Sequence, residues 1–385
     1  MKILYIQYTN PACYPPLERS SRMLADSGWQ VTFLGTRVRG VESLEFPPHV
    51  NIRVRQMASC RLGWLRKLHY AAFCIWVCAW VLLWRPGWVY ASELLSCPVA
   101  LLLCWMPGVR FLYHEHDSPG QNSKASGVLN RLAFRARSSL AARAAACILP
   151  NQQRAERFRS EVPCARQILC IPNYPSSEEI RPRRATSTAG SLTLYYHGNI
   201  GRDYVPAEVI QSLKELPGEI RLRVIGYETA GTGGYVEYLR GLARASGVED
   251  RVDFLPPVPH YELLKHCSGG DIGLAIVPLQ SSDMNQVFKV GAANKVSEYL
   301  ACGLAVLVSD IPDWKAAYVD AGYGLSCIPD QAESIAAALR WFFEHREETR
   351  EMGERGRCRI ASEWNYERQF TPVLDLLRNH SPAQM

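Results

Sequence analysis

Short apolar runs of strand length alternate with helix-length segments through both halves of this sequence. Because parallel strands must be joined by crossovers, the alternation predicts parallel β-sheets covered by helices. Two such series predict an α/β protein with two doubly wound, Rossmann-like domains, in a chain of 385 residues that is too long for one ordinary core. The predicted strands are KILYIQY, WQVTFLG, WVYAS, VRFLYHEHD and ACILP, then LTLYYHG, IRLRVIG, VDFLP, DIGLAIVP and LAVLVS.

A segment without periodicity separates the two series. Residues 171–190 are rich in Pro, Ser, Thr and charge, which is typical of a linker. The sequence therefore predicts an N-terminal domain over residues 1–170 and a C-terminal domain over residues 191–362. A final helix within residues 363–385 is expected to pack back onto the first domain.

The composition is that of a folded globular protein with a mild excess of positive charge. A net charge of +6 suits anionic substrates or a membrane surface and does not by itself indicate nucleic acid, which we do not expect as a partner. The 13 cysteines include no CxxC pair, so we expect reduced thiols in a cytosolic protein and no zinc motif. The N-terminus reads as a first strand and lacks a signal-peptide pattern, which also predicts a cytoplasmic location.

The segment Tyr70–Trp84 carries no charge over 15 residues. A membrane-spanning helix needs about 20 apolar residues, so the segment predicts a buried or half-buried helix, with an interfacial helix as the alternative. Arg66 and Lys67 flank it on the N-terminal side.

The stretch ANKVSEYLACGLAVLVSD, residues 293–310, predicts a short helix, a glycine stop and a buried strand. Asn294 suits the N-cap and Gly303 suits the position after the helix. A helix N-terminus at a sheet edge favours anions, and Lys295 would add positive charge there. Glu298 lies one turn further on, where its two oxygens can accept a pair of adjacent hydroxyls. A diphosphate beside a diol describes a nucleotide.

Two further loops follow predicted strands, where ligands bind in parallel sheets. In HGNIGRD, Gly198 and Gly201 let the backbone approach a ligand and Arg202 offers a fork-shaped cation for phosphate; the alternative is a glycine turn with a surface arginine. In YHEHDS, alternation places His114 and His116 on the same side. A metal would need a third ligand, so we expect no metal and favour an imidazole that contacts sugar or handles a proton over a structural histidine.

A basic face is predicted on the helix in SKASGVLNRLAFRARSSL. Lys124, Arg131 and Arg135 recur at helical spacing beside apolar residues. Together with Arg66 and Lys67 they suit an anionic membrane surface. The alternative is a helix with its apolar side on the sheet and its charges in water.

These motifs together resemble the GT-B-fold, retaining bacterial glycosyltransferases of group 1, or family 4-like. The resemblance rests on LADSGWQVTFLG, LYYHGNIGRD, NKVSEYLACGLAVLVSD and the terminal SEWNYERQFTPVLDLL. It implies two domains facing across a cleft, and metal-independent transfer of a hexose with retention of anomeric configuration. The donor would be a nucleotide-sugar, and no cofactor is implied.

The resemblance also implies roles for individual residues. Arg202 would neutralise the diphosphate, Glu298 would hold the ribose hydroxyls, and His116 would contact the donor sugar from the facing domain. Lys295 would sit at the phosphate or sugar. The remaining expected donor-binding residues are Gly198, Asn199, Gly201 and Asn294.

Three departures from the family pattern stand in the sequence. Ala207 occupies the place of a frequent lysine, Val290 the place of a second glutamate, and NPACYPPLE replaces the glycine-rich loop after the first strand. One hypothesis is that Lys295 or Lys289 substitutes for the missing lysine; the alternatives are an enzyme that handles an unusual sugar and an inactive one.

The sequence therefore predicts a cytoplasmic glycosyltransferase, peripheral on the inner face of the plasma membrane. Its acceptor would be a lipid-linked or membrane-proximal glycan in surface polysaccharide synthesis. The alternatives are a sugar-nucleotide epimerase of the same fold and a catalytically inactive sugar-nucleotide-binding partner of another transferase.

Overall fold

A computed structural model of the protein describes residues 1–38, 44–60, 64–120, 127–182, 190–229 and 231–379. The chain forms two compact units. The first comprises Met1–Asn173, Asp283–Phe288 and the chain from Tyr366 onward, and the second comprises Tyr174–Ser282 and Lys289–Asn365. Each unit is built on a parallel sheet flanked by helices, which confirms the predicted α/β class with two doubly wound domains.

The sheet of the first unit has seven strands in the order β3-β2-β1-β4-β5-β6-β7, all parallel. The order reverses between β1 and β4, which is where a doubly wound sheet binds ligands at its carboxyl edge. The strands are β1 Lys2–Ile6, β2 Gln30–Thr36, β3 Ile52–Met57, β4 Trp88–Ser92, β5 Arg110–His114, β6 Ala146–Leu149 and β7 Ile168–Cys170.

Helices cover both faces of this sheet. One apolar cluster joins α1 and the final helix, Tyr366–Asn379, to residues of β1, β2 and β4, and a second joins α2, α3 and α4 to the opposite face. A short helix, Met284–Val287, also belongs to this unit. The main helices before the linker are α1 Pro15–Asp26, α2 Leu65–Trp84, α3 Cys97–Leu103, α4 Gly127–Ala141 and α5 Gln152–Glu161.

Helix α2 contains the uncharged segment and extends over 20 residues. Only Tyr70, Phe73, Val77 and Val81 are buried, and their three- and four-residue spacing defines one stripe against the sheet. Within the described residues, this helix alone is long and apolar enough to cross a membrane by length and composition.

The sheet of the second unit has six parallel strands in the order β10-β9-β8-β11-β12-β13, and its order reverses between β8 and β11. The strands are β8 Leu192–Asn199, β9 Ile220–Tyr227, β10 Val252–Leu255, β11 Ile272–Ala275, β12 Ala305–Ser309 and β13 Gly324–Cys327. The main helices are α6 Ala207–Leu213, α7 Tyr235–Ala245, α8 His260–Cys267, α9 Asn294–Ala301, α10 Ala332–Glu344 and α11 Arg346–Ser362, with a shorter turn at Pro312–Trp314.

The segment α9–β12 folds as the sequence predicts, with one correction. Gly303 has φ 73°, the left-handed conformation expected after a helix, and the apolar run is a fully buried strand. The predicted N-cap was wrong, because Ala293 occupies that position and Asn294 is the first helical residue. Gly353 of α11 lies against this turn so closely that a Cβ there would stand 2.1 Å from the Gly303 carbonyl oxygen.

That close approach predicts opposite effects for two helical glycines. Gly353→Ala should lower the free energy of unfolding by about 1–3 kcal/mol, because the added methyl must displace backbone. Gly241→Ala in α7 meets nothing within 4 Å and should raise it by up to about 1 kcal/mol through helix propensity. Urea unfolding of both variants measures the difference, and equal effects would contradict the packing described.

Candidate functional site

The candidate site of the second unit lies at the carboxyl end of β8, beside the point where the strand order reverses. Strand β8 delivers His197, Gly198 and Asn199 to this edge, and α9 delivers Lys295 and Glu298. Parallel sheets bind ligands at this kind of edge because several loops and helix N-termini converge there.

Glu298 is a buried carboxylate held between two imidazoles. Its side chain is 4% exposed; Oε2 lies 2.9 Å from His197 Nε2, and Oε1 lies 3.0 Å from His260 Nε2. Burial opposes its ionisation, but the His260 and His197 imidazoles outweigh burial and hold the pKa of Glu298 well below its usual range. The carboxylate of Glu298 is therefore ionised, and each of its two oxygens is oriented by one imidazole.

His197 donates to Glu298 from a fully buried position. Burial lowers the pKa of His197 in spite of the neighbouring carboxylate. The neutral ring with its proton on Nε2 fits this geometry, since Nε2 faces Glu298 and the buried Nδ1 has no hydrogen-bond partner among the described residues.

His260 stands between two carboxylates. Its Nε2 faces Glu298, and its Nδ1 lies 3.4 Å from Glu179 Oε1. Glu179 is fixed in turn, because its other oxygen accepts the Ser176 backbone N–H at 2.5 Å. A ring with both nitrogens facing carboxylates matches the doubly protonated imidazolium, whose two N–H groups can both donate. Sequence reasoning missed His260; its only signal was its place as the first residue of α8, after a strand.

Lys295 lies in a partly enclosed aromatic setting beside a second lysine. Its Nζ donates to Tyr196 Oη at 3.0 Å and stands 4.8 Å and 4.7 Å from the ring centres of Tyr196 and Tyr204. Lys289 Nζ lies 4.7 Å from the same Tyr204 ring. Burial and the Lys289 charge lower the pKa of Lys295 to about 7, with Glu298 opposing the shift. The Nζ atoms of Lys295 and Lys289 thus both lie near the Tyr204 ring. Of the two positions that depart from the family pattern, Ala207 opens α6 and Val290 is half-buried.

Gly198 makes room for Lys295. Its φ is 116°, and a Cβ there would stand 2.6 Å from Lys295 Cε. Tyr196, which accepts from Lys295, donates its hydroxyl to the Asn199 carbonyl oxygen. The conformation of this loop therefore depends on the lysine. Gly201 is also closely approached, because a Cβ there would stand 2.9 Å from Thr232 Cγ2.

Two amide oxygens at this edge are buried without a hydrogen-bond partner among the described residues. They are Oδ1 of Asn199 and Oδ1 of Asn294. A buried acceptor left unsatisfied costs free energy, so both positions favour a ligand that supplies hydroxyl or N–H donors.

Arg202 follows Gly201 and is exposed. Its charge reaches Tyr235, where it partly offsets the burial that raises the pKa of that phenol. Among the predicted residues of this unit, the structure thus clusters Lys295, Glu298, Gly198, Asn199 and Asn294 at one edge, and it leaves the Arg202 guanidinium in solvent on the adjoining loop.

His116 belongs to the first unit, two residues beyond β5. Its ring lies 3.7 Å from that of His114, as the alternation predicted. Its Nε2 lies 3.2 Å from Ser92 Oγ, and its carbonyl oxygen accepts from Arg154 at 2.7 Å. Burial and the Arg154 charge lower the pKa of His116 to about 3, so this imidazole is neutral near pH 7 and offers hydrogen bonds rather than charge.

The predicted membrane-surface residues that the structure describes are all exposed. They are Arg66 and Lys67 at the start of α2, and Arg131 and Arg135 on α4. Lys124 lies outside the described residues. The part of the chain that the structure describes contains no group of three or more His, Cys, Asp or Glu side chains arranged to hold a metal ion.

Comparison with protein families assigns both halves of the chain. Residues 177–359 match the model described as glycosyl transferases group 1, and residues 17–174 match the glycosyl transferase 4-like domain. No curated protein matches the chain significantly.

Solved structures with the same fold include several glycosyltransferases. A sucrose-phosphate synthase from Thermosynechococcus elongatus is 18% identical with a TM-score of 0.74, and the match covers 98% of each chain. Anabaena HepE in complex with UDP-glucose is 16% identical with a TM-score of 0.71, covering 98% of this chain and all of that one. WaaG, a glycosyltransferase involved in lipopolysaccharide biosynthesis, is 16% identical with a TM-score of 0.65, covering 97% of this chain and 99% of that one. The protein therefore has the GT-B fold and belongs to the glycosyl transferases group 1 family, with a glycosyl transferase 4-like domain as its N-terminal half.

Proposed function

We propose that this glycosyltransferase moves a hexose from a nucleotide-sugar to a lipid-linked or membrane-proximal acceptor, with retention of anomeric configuration and without a metal ion. The observation that carries the proposal is the juxtaposition, at one sheet edge, of two lysine ammonium groups and an ionised carboxylate held by two imidazoles. Diphosphate and ribose are the two parts of a nucleotide-sugar that such groups recognise. HepE was solved with UDP-glucose, which supports this donor class.

The positive groups supply the electrostatics of the reaction. When the bond between sugar and phosphate breaks, negative charge builds on the leaving diphosphate, and pre-oriented cations lower the barrier. The Nζ atoms of Lys295 and Lys289 both lie near the Tyr204 ring, and Arg202 stands two residues before Tyr204 on the same loop. These three charges take the part that a divalent ion has in metal-dependent transferases.

The acceptor proposal rests on the first unit. Arg66, Lys67, Arg131 and Arg135 are exposed cations on helices that also present apolar side chains, which suits an anionic membrane on the cytoplasmic side. The similarity in fold to WaaG, described as involved in lipopolysaccharide biosynthesis, supports a role in surface polysaccharide assembly.

Two substitutions should separate the effect on donor affinity from the effect on turnover. Glu298→Ala should weaken UDP binding at least about tenfold, because a hydrogen bond to a charged group contributes about 1.5–3 kcal/mol. Arg202→Ala should lower kcat more than affinity, because its charge matters most as the diphosphate leaves. Thermal-shift titration with UDP, GDP, ADP, dTDP and CMP identifies the base, and donor-consumption assays give kcat.

Arg240→Ala, an exposed arginine on α7, is the matched control and should leave both quantities unchanged. Wild-type binding and turnover in the Glu298 and Arg202 variants would refute the assigned roles. Epimerisation of the donor sugar with no acceptor present would identify an epimerase. Nucleotide binding without turnover of any donor would identify an inactive binding partner.

A further prediction concerns the protons that the protein takes up when UDP binds. Lys295 has a pKa of about 7 without ligand, so at about pH 8.5 it is mostly neutral, and a bound diphosphate should restore its ammonium form. Binding of UDP should then take up close to one proton at pH 8.5 and far less at pH 6. Calorimetry in buffers of different ionisation enthalpy measures this uptake. Lys295→Met should abolish it, whereas Lys265→Met on the exposed side of α8 should not; equal uptake in both variants would contradict the assignment.

The lowered pKa of Lys295 also determines how the free energy of unfolding changes with pH. Because the folded-state pKa of Lys295 lies below its unfolded value, the folded state binds fewer protons between about pH 7 and pH 10. The cost of burying the ammonium is therefore complete below pH 7 and declines as the pH rises through this window. Relative to Lys295→Met, the wild-type free energy of unfolding should increase from pH 7 to pH 10.

Substitution of His260 tests whether this residue positions Glu298. His260→Gln keeps a neutral donor toward Glu298 but removes the imidazolium between the two carboxylates, so KM for the donor should rise several-fold with little change in kcat. An unchanged KM, or a kcat that falls as much as KM rises, would contradict this positioning role.

A further inference from the structure

The outer face of α2 is apolar along its whole length. Opposite the stripe that packs on the sheet, Leu68, Ala72, Ile75, Ala79 and Leu82 recur at four- and three-residue spacing, and all are exposed. Ile75 is 71% exposed, and the helix contains no acidic residue. We call these five residues the apolar ridge. At 1.5 Å per residue, the ridge from Leu68 to Leu82 is about 21 Å long.

Neighbouring helices of the same unit widen the apolar surface. Helix α3 packs against both α2 and α4. Leu102 near its end is 62% exposed, and Trp105 just beyond it is 78% exposed. On α4, Val128 and Leu132 are exposed beside Arg131 and Arg135. Soluble monomers seldom expose large apolar side chains in this number on adjoining elements, and such patches mark interaction surfaces.

The exposed charged residues of α2 and α4 are all basic: Arg66, Lys67, Arg131 and Arg135. The surrounding sequence, residues 46–155, contains only three acidic residues. All three have partners inside the unit: Glu93 accepts the His116 backbone N–H at 2.9 Å, Glu115 forms a buried pair with Arg137 at 2.5 Å and 2.8 Å, and Asp117 Oδ1 lies 3.8 Å from Arg154 Nη1. The partner of the ridge is therefore apolar at its centre and anionic around it.

Aromatic rings and cations meet at the edges of the surface. The Arg143 guanidinium lies 5.7 Å from the Trp105 ring centre, and Lys2 Nζ lies 5.5 Å from that of Trp84. Trp64, at the start of α2, is exposed next to Arg66 and Lys67. Tryptophan and basic residues of this kind favour the headgroup region of a bilayer, where a ring contacts acyl chains and a cation meets phosphate.

We propose that the apolar ridge, with Leu102 and Trp105, inserts into the interfacial region of an anionic lipid membrane, with α2 lying in the membrane plane. The helix does not span the bilayer in this fold, because Tyr70, Phe73, Val77 and Val81 hold it on the sheet and the Tyr70 hydroxyl donates to the Leu95 carbonyl oxygen at 2.7 Å. The inference deepens the proposed function, on which it rests for its lipid-linked acceptor, by naming the surface that meets the lipid.

A lipid surface fits better than a second copy of the chain. In a two-fold dimer through the ridge, the same basic flanks would face each other, and like charges in apposition oppose association. An anionic bilayer meets both requirements at once, since acyl chains receive the ridge and lipid phosphates receive the arginines and lysines.

The test is co-sedimentation of the full chain with phosphatidylcholine vesicles, with and without phosphatidylglycerol. Wild-type protein should bind the anionic vesicles, and a fraction should stay bound at about 1 M NaCl, where charges are screened within about 3 Å. Ile75→Glu combined with Leu82→Glu should lower the partition coefficient at least about tenfold, because large aliphatic side chains lose their burial in lipid. Val50→Glu, at an exposed apolar position of the same unit off the ridge, is the matched control and should bind like wild type.

Several outcomes overturn the inference. Complete release of wild type by salt, with normal binding of the Ile75/Leu82 double variant, would mean charge adsorption without insertion. Absence of vesicle binding would refute the membrane partner, and a wild-type dimer that the double variant dissociates would make a second copy the occupant. UDP binding, measured by thermal shift, distinguishes the two proposals. Wild-type protein that binds UDP but not vesicles refutes only the membrane role of the ridge. Wild-type protein that binds vesicles but neither binds UDP nor transfers sugar refutes only the proposed function, and the double variant should still bind UDP.

Discussion

The ionised carboxylate of Glu298, buried between two imidazoles, organises the site of the second unit. A lone carboxylate at this depth would be strongly destabilising, and it persists because two N–H groups face its two oxygens. That arrangement fixes His197 as neutral and links His260 to Glu179, so the orientation of one acid depends on residues from β8, α8 and the segment before β8. Protein groups from three segments therefore hold both oxygens of this acid in place.

The environment of Lys295 differs from that of Glu298, because it disfavours the charged form of the side chain. Lys295 has no carboxylate within hydrogen-bond distance among its described contacts. Burial and the charge of Lys289 disfavour its ammonium form, whereas the Tyr196 hydroxyl and the Tyr196 and Tyr204 ring faces favour it. Its charge is therefore weakly held until an anion is present. The same side chain is linked to the Gly198–Asn199 loop, because the Tyr196 hydroxyl accepts from Lys295 and donates to the Asn199 carbonyl oxygen. A carboxylate charged in advance and an amine charged on binding suit a ligand that carries a diol at one end and phosphate at the other.

The sequence predicts the buried apolar strands of this fold better than the strands that are exposed, short or polar. All ten predicted strands are present, because buried parallel strands are continuous apolar runs bounded by turns. The three missed strands have weak signals: β3 alternates arginine with apolar residues on an exposed edge, β7 has three residues, and β13 contains Gly and Ser. In the candidate site, the sequence predicts Lys295 and Glu298 from their place in the helix before a buried strand, and the structure places both residues on that helix. The sequence does not predict His260, because its contact with Glu298 spans 38 residues and leaves no local pattern. The Asn294 cap was wrong because the chain enters α9 one residue earlier, and its amide oxygen is left for another partner.

Helix α2 shows a different limit of sequence reasoning. A helix that is apolar on every side has no periodicity from which to choose a buried face, so its composition suits a core helix and an interfacial helix equally. The fold resolves this by burying one stripe of four residues on the sheet, packing Cys74, Trp76, Cys78, Trp80 and Trp84 partly against the same core, and exposing the remaining apolar side chains. Burial in the protein thus accounts for only part of the hydrophobicity of the helix. The exposed part coincides with a stretch of 110 residues that contains only three acids, each of which has a partner inside the unit. Solubility alone would favour the opposite distribution, with acids and polar residues on the exposed side. The combination of an apolar centre and a basic surround is therefore explained by a partner that is itself apolar at its centre and anionic at its surface.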